Sequence, residues 1–329
     1  MTDNNLQNLC SEAVKSGRQY LFSFIENNTF YDQWYSSSEK PPVEHSSSPL
    51  LCFFSALALK TSGGIPESVK TKFLSLISSA KKGDSYGYDH KAPIDSDDTA
   101  FALRTLLALG ESVSSELIAN AFMPFTCGTS WFTFSVKDET NATPEFHCAY
   151  QGPSTVIGPH PEVHLNILAL HQEANISVTR IPSIPQKDGL PVSYFYNSAL
   201  YAAWIFSTLC KKMEFEFLSL RDAVLHQRLD NGSWPGKTDG FSAVQETSLA
   251  LLTLDTFSKS DPDRLLSLKY ILGEQKVNGS FQGGTLWRYP VPQAQGESYW
   301  YAVDSNSIVS TSLAMLALIN AAVSNGREK

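Results

Sequence analysis

A repeated apolar segment constrains the fold of this chain more than any other feature. Six stretches that are apolar almost all round open at Pro49-Leu50, Thr99-Ala100, Glu162-Val163, Ser198-Ala199, Thr247-Ser248 and Thr311-Ser312. Positions 49 and 99, like 198 and 247, lie one unit of about 49 residues apart, and 99 and 247 lie about three units apart, the self-similarity of a repeat architecture. Runs such as AFALRTLLAL and LAMLALINAA present almost no polar face, as expected of helices buried on every side. Before most of them come amphipathic stretches, 6–26, 66–80, 114–122, 215–228 and 262–274, which read as outer helices. Inner and outer helices in alternation give an all-α fold, a single (α/α)6-type toroid around a central apolar cavity, with residues 1–329 forming one domain. The fourth outer position is the weak one. Residues 175–191 carry Pro182, Pro185 and Pro191, and proline inside a helix costs about 3 kcal/mol or more. Two long stretches, 123–161 and 282–306, interrupt the period and read as insertions able to close the cavity.

The formal charge of −8 has no basic stripe within it, which argues against nucleic acid as a partner. Cys10, Cys52, Cys127, Cys148 and Cys210 are odd in number and form no CxxC pair, so neither a disulfide framework nor a zinc knuckle is expected, and a reducing cytoplasm fits. The N-terminal MTDNNLQNLC lacks a basic leader followed by an apolar core. The most apolar stretch, 199–209, falls short of the roughly 20 residues that span a bilayer. No transmembrane segment is expected, which leaves room for peripheral membrane contact.

Two outer stretches end in related sequences, Gln227 through Asn231-Gly232-Ser233-Trp234 and Gln275 through Asn278-Gly279-Ser280-Phe281. Asn-Gly tolerates φ > 0 and ends the helix, the aromatic can stack back on the ring, and the Gln amide can bond a neighbouring helix end. The pattern Gln-x-x-x-Gly-x-aromatic resembles the QW motif of squalene-hopene cyclase and its relatives. Gln275 to Phe281 keeps the spacing with Phe for Trp, whereas Gln227 to Trp234 keeps Trp with one extra residue.

More specific is Asp95-Ser96-Asp97-Asp98-Thr99-Ala100, at the start of the second inner helix. An N-cap role explains one or two of these acids but not all three. Three carboxyls within four residues repel when ionised, so burial at a cavity wall should hold at least one neutral. The run resembles the DxDD motif of class II terpene cyclases, the superfamily of squalene-hopene cyclase. That resemblance implies that Asp97 is the proton donor and that Asp95 and Asp98 orient it. It also implies a partner on the adjacent inner helix, where Val163-His164-Leu165-Asn166-Ile167-Leu168 is similar to the segment in which an Asn assists the acid; Asn166 is the first candidate and His164 the reserve. Zinc held by His160 and His164 is disfavoured, because Pro161 suits the first helical position and leaves His160 outside the helix.

A carbocation needs walls that stabilise charge without reacting, and aromatic faces supply them. Trp131, Tyr196, Trp204, Trp287, Trp300 and Tyr301 are the candidates for substrate binding. Class II cyclases commonly enclose their cavity between two toroids, and this chain has residues for one, so it is most similar to the single-domain type that acts on a prenylated aromatic. A hydrophobic isoprenoid is then the small-molecule partner. The acid step needs no cofactor and no metal site is expected, with Mg entering only if the substrate is a diphosphate. Arg180, Lys211, Lys212 and Arg288 keep that diphosphate alternative open. Two rivals are a protein-prenyltransferase-like subunit, for which the chain lacks an Asp-x-Cys pair, and a non-catalytic binding toroid with Asp95, Asp97 and Asp98 as solvated caps.

Overall fold

The computed structural model describes residues 3–27, 31–36, 43–46, 49–88, 92–127, 130–134, 160–181, 184–214, 217–236, 243–257, 263–290 and 299–324. Outer α1 (Asp3–Asn27) leads to inner α2 (Pro49–Thr61), outer α3 (Glu67–Ser79) to inner α4 (Ser96–Ala108), and outer α5 (Ser115–Phe122) to inner α6 (Pro161–Glu173). Inner α7 (Ala199–Lys212) follows without an outer helix, and then outer α8 (Leu218–His226) precedes inner α9 (Val244–Leu254) and outer α10 (Arg264–Gly273) precedes inner α11 (Ile308–Ser324). The inner helices pack in sequence order, α2 on α4, α4 on α6, α6 on α7, α7 on α9 and α9 on α11, and α11 returns to α2. The ring therefore closes, and α1 seals the seam by packing on α11.

Each apolar run is inner because it has no face to offer water, and in three of them, α4, α7 and α11, capping side chains satisfy first-turn amides. Asp95 caps α4, Ser198 caps α7, and the Asp304 carboxylate accepts from the Ile308 and Ser310 amides at 2.7 and 2.8 Å. Where an outer helix was doubtful, residues 176–181 run without regular structure and the antiparallel pair Gln186–Lys187 and Leu190–Pro191 follows. Proline's missing N–H and fixed φ account for this. Ile176, Val178, Ile181 and Ile184 nevertheless pack against the core, so the extended segment covers the ring where a helix would have lain.

The helix joins are one motif used repeatedly. Asn231 Oδ1 accepts from Ser233 N and Oγ, as Asn278 Oδ1 does from Ser280 N and Oγ, and Gly232 and Gly279 take φ of +84° and +87°. Trp234 N donates to Thr247 Oγ1 at 3.1 Å and Phe281 N to Thr311 Oγ1 at 3.1 Å, each Thr lying on the inner helix that follows. The same bond, Tyr86 N to Thr99 Oγ1 at 3.0 Å, marks a third copy that the sequence alone did not reveal. The backbone register pairs Leu229 with Ser233 and Lys276 with Ser280. Arg228, rather than Gln227, therefore occupies the place of Gln275, and the extra residue in that copy disappears. Gln275 Nε2 donates to Ala13 O of α1 at 2.8 Å, whereas Arg228 reaches Asp263 ahead of α10 and lies over the Trp234 ring.

Four strands form an antiparallel sheet in the order Trp287–Pro290, Tyr299–Val303, Tyr31–Ser36, Val43–Ser46. Two belong to the 282–306 insertion and two lie between α1 and α2, and strands were expected at neither place. A bridge between Tyr196 and Trp287 ties the sheet to the segment ahead of α7. Most of the 123–161 insertion lies outside the described residues. Among the described residues, no helix is long and apolar enough to cross a membrane.

Candidate active site

The site is built at the N-terminal ends of the inner helices. Asp95 pairs through its backbone with Tyr86 and Phe134, which fixes the entry to α4, and its Oδ1 accepts from Asp98 N at 2.7 Å. Ser96 N donates to Thr133 O at 2.8 Å and Ser96 Oγ to Phe132 O at 2.9 Å. These bonds bury Asp95 and Asp98 and leave Asp97, half-buried, facing a pocket.

Both oxygens of Asp97 meet donors. Asn166 Nδ2 donates to Oδ1 at 2.7 Å and the Tyr196 hydroxyl to Oδ2 at 2.6 Å. Asn166 lies on α6, and its amide is oriented from behind. Its Oδ1 receives the Tyr201 hydroxyl at 2.6 Å and Arg104 Nη1 at 3.3 Å, so only the amide hydrogens can face Asp97. Arg104 is buried, forks onto Glu173 at 2.9 and 2.7 Å, and covers the Phe53 ring at 4.1 Å. Tyr201 stacks on Tyr196 with centroids 4.2 Å apart. The structure thus brings Asn166 to Asp97 and places His164 elsewhere, edge-on to Trp131 at 4.8 Å. His160 Nδ1 meets Thr133 Oγ1 at 2.6 Å, and the two histidines diverge. Among the described residues, no three His, Cys, Asp or Glu side chains cluster as a metal site.

Burial pushes the Asp97 carboxyl up to about 8, aided by the charge of Asp95 and then that of Glu162, and opposed by the bonds from Tyr196 and Asn166. Burial also raises Asp95, against hydrogen bonds from Asp98 and the helix backbone. The Tyr196 phenol is driven well above its ordinary value by burial and by Asp97, so it remains a donor. At neutral pH Asp97 keeps its proton, while two donors and a helix N-terminus wait for the carboxylate left when the proton leaves.

The pocket in front of Asp97 is narrow, with a volume of about 30 Å³. Tyr88, Phe134, Phe195, Tyr196 and Trp287 make an aromatic wall, completed by Leu50, Thr133, Asp95 and Asp98, with no basic side chain in the lining among the described residues. Of the aromatic candidates, Tyr196 and Trp287 are in this wall. Trp204 packs on Phe54 and Tyr201 in the layer behind, and Trp131 packs against Phe122, His164 and His171. Tyr301 is half-buried on the strand beside Arg288, and the Trp300 side chain lies outside the described residues. Arg104, Tyr201, Tyr88 and Glu162 carry no assigned role in the sequence reading. Arg104 had a visible signal, since a charge inside an apolar run requires a buried partner.

No family model and no curated protein matches the sequence. Solved structures do match the fold. A variant of the type II terpene cyclase MstE from Scytonema, in complex with its substrate geranylgeranyl dihydroxybenzoate, superposes with a TM-score of 0.76 at 15% identity over 97% of this chain and 99% of that one. Another variant of MstE, in complex with the product merosterolic acid A, gives 0.73 at 16% identity over 97% and 99%. The ent-copalyl diphosphate synthase from Streptomyces platensis gives 0.52 at 18% identity, covering 84% of this chain and 51% of that one. At these identities the likeness is one of fold, and this chain has the α/α-toroid fold of those cyclases.

Proposed function

We propose that this chain is a class II terpene cyclase in which one toroidal domain carries the whole reaction. Asp97 delivers its proton to a terminal alkene or epoxide of an isoprenoid chain. The resulting cation is attacked by successive internal alkenes, and loss of a proton ends the sequence, so the product is an isomer of the substrate. The observation that carries this reading is the setting of Asp97, a carboxyl that faces an aromatic pocket, has a donor on each oxygen and is pushed up to about 8 by burial. Protonating an alkene is far harder than protonating an amine, and stabilising the departing carboxylate is what brings the step within reach. Aromatic faces contribute about 0.5–2 kcal/mol each to holding the cation, more as the site is desolvated.

A prenylated aromatic is the favoured substrate. The pocket lining beside the acid offers no cation to a diphosphate among the described residues, and the fold is that of MstE, which was solved with a prenylated dihydroxybenzoate. On this reading the acid step uses no cofactor, and Mg²⁺ belongs only to the diphosphate alternative. The buried state of Asp95 and Asp98 weighs against solvated caps on a binding toroid. Incubating wild type and Asp97→Asn with prenylated aromatics, polyprenols and prenyl diphosphates, and separating products by chromatography with mass detection, tests the proposal. A product of unchanged mass formed only by wild type supports it. Conversion by both proteins alike would remove Asp97 from the reaction.

A further inference from the structure

Glu162 opens α6 beside the site, yet the chemistry described so far gives it no task. It is fully buried, and one oxygen, Oε2, has no hydrogen-bond partner. An acid in the first turn of a helix commonly serves the helix's own N-terminus. Glu162 instead uses Oε1 on another segment, accepting from Tyr194 N and Phe195 N at 2.7 Å each. Those residues immediately precede Tyr196, whose hydroxyl is on Asp97.

We infer that Glu162 is a positioning residue, which holds the backbone of Tyr194 and Phe195 so that the Tyr196 hydroxyl is fixed on the acid. The inference rests on Asp97 being the proton donor. The segment it acts on has no helix or long strand of its own, so its amides must be satisfied one by one. Tyr196 N donates to Ser193 Oγ at 3.2 Å and Asn197 N to Leu286 O at 2.8 Å; Glu162 takes the two amides between Ser193 and Tyr196. From the carbonyl side Arg288 completes the clamp, with Nε on Tyr194 O at 3.2 Å, Nη2 on Ser193 O at 3.3 Å and its backbone N on Phe195 O at 2.6 Å. A carboxyl gathers the N–H groups and a guanidinium the carbonyls, each matching the polarity it faces. Burial raises the Glu162 carboxyl, while the Phe195 amide, its own backbone amide, the Tyr194 amide and then the Arg288 charge pull it down. Without Glu162, one buried and one partly buried amide lose their acceptor and the segment must shift to find others.

Glu162→Ala, Glu162→Gln, Tyr196→Phe and the double variant Glu162→Ala/Tyr196→Phe test this by steady-state kinetics and by amide hydrogen exchange of residues 193–197. Glu162→Ala is expected to lower kcat about tenfold or more with KM within about threefold, because the loss falls on proton transfer rather than binding. Glu162→Gln, which keeps an acceptor oxygen, recovers most of kcat. Exchange at 193–197 quickens in Glu162→Ala while α9 and α11 keep their protection. In the Tyr196→Phe background Glu162→Ala has little further effect, since the hydroxyl it positions is already gone. Unchanged exchange, or an equal fall in kcat with and without the Tyr196 hydroxyl, would overturn the inference. Should wild type cyclise nothing, the reading of Asp97 fails, and the exchange arm alone then decides whether Glu162 holds the segment.

Discussion

On the proposed reading Asp97 combines a retained proton with a prepared conjugate base, and its replacement should separate chemistry from architecture. Asp97→Asn keeps the shape and one acceptor oxygen for the donors of Tyr196 and Asn166 but has no acidic proton, so cyclisation should fall by about 10³-fold or more with folding intact. The same substitution has a signature in stability against pH. A carboxyl whose folded value is about 8, against an ordinary 3.8, binds more protons folded than unfolded between those values. Its contribution is full below the lower value and is lost as pH rises through about 8. Denaturation at pH 6 and pH 9 should therefore show wild type losing stability relative to Asp97→Asn at the higher pH; parallel behaviour would mean that Asp97 is ionised in the fold. Asn166→Leu should lower kcat more than its stability loss suggests, because it strips a donor from Asp97 and leaves Arg104 and Tyr201 facing a methyl group; an unchanged kcat would remove Asn166 from the site. At this scale the sequence was informative where a residue was out of place. Three acids within four residues and an Asn on an apolar helix both stand out. Tyr196 stood among many aromatics, since only packing decides which ring meets the acid. Glu162 carries no such signal, because its Oε1 serves a segment 32 residues away.

The helix joins are where single elements are locked into the ring. Trp234 is fully buried, its Nε1 donates to Val224 O at 2.7 Å on α8, and its amide is held by Thr247 on α9, so one residue ties an outer helix to the inner helix that follows. Trp234→Ala should cost about 3–5 kcal/mol, read by chemical denaturation, through the lost burial and the cavity left behind. A cost below about 1 kcal/mol would show that the join closes up without it. The Gly-x-aromatic pattern was legible here because turn chemistry is local. Its register was not: the place of Gln275 passes to Arg228 because backbone bonds, not side-chain identity, define equivalence. The three prolines correctly cast doubt on the fourth outer helix, since their restriction is intrinsic to the residue. The four-stranded sheet escaped the sequence because its strands are short and Tyr31–Ser36 pairs with Tyr299–Val303 from the far end of the chain, a partner no local pattern can announce.

Six inner helices in a closed ring give every one of them two inner neighbours, and the ring closes where α11 returns to α2 under α1. There Gly279 presses on α1: a Cβ at that position would lie 2.3 Å from Ser16 O, and the φ of +87° disfavours any side chain. Gln275 binds Ala13 O close by, Tyr20 OH donates to Asn306 O at 2.6 Å, and Arg18 reaches Leu59 O, Ser62 Oγ and Gly64 O. The first helix is thus fastened both to the last repeat and to the start of the second. Gly279→Ala cannot be absorbed by a side-chain movement, since the obstacle is backbone, so it must push α1 away or distort the turn. A cost of at least about 2 kcal/mol is expected, above what the φ alone would exact. Because α1 covers the α11–α2 contact, loosening it should destabilise the ring as a whole. Urea unfolding of Gly279→Ala should then shift to a lower midpoint with an unchanged slope, as for a cooperative unit. A shallower slope or a second transition would show that α1 undocks by itself and that the remaining ring stands without its seal.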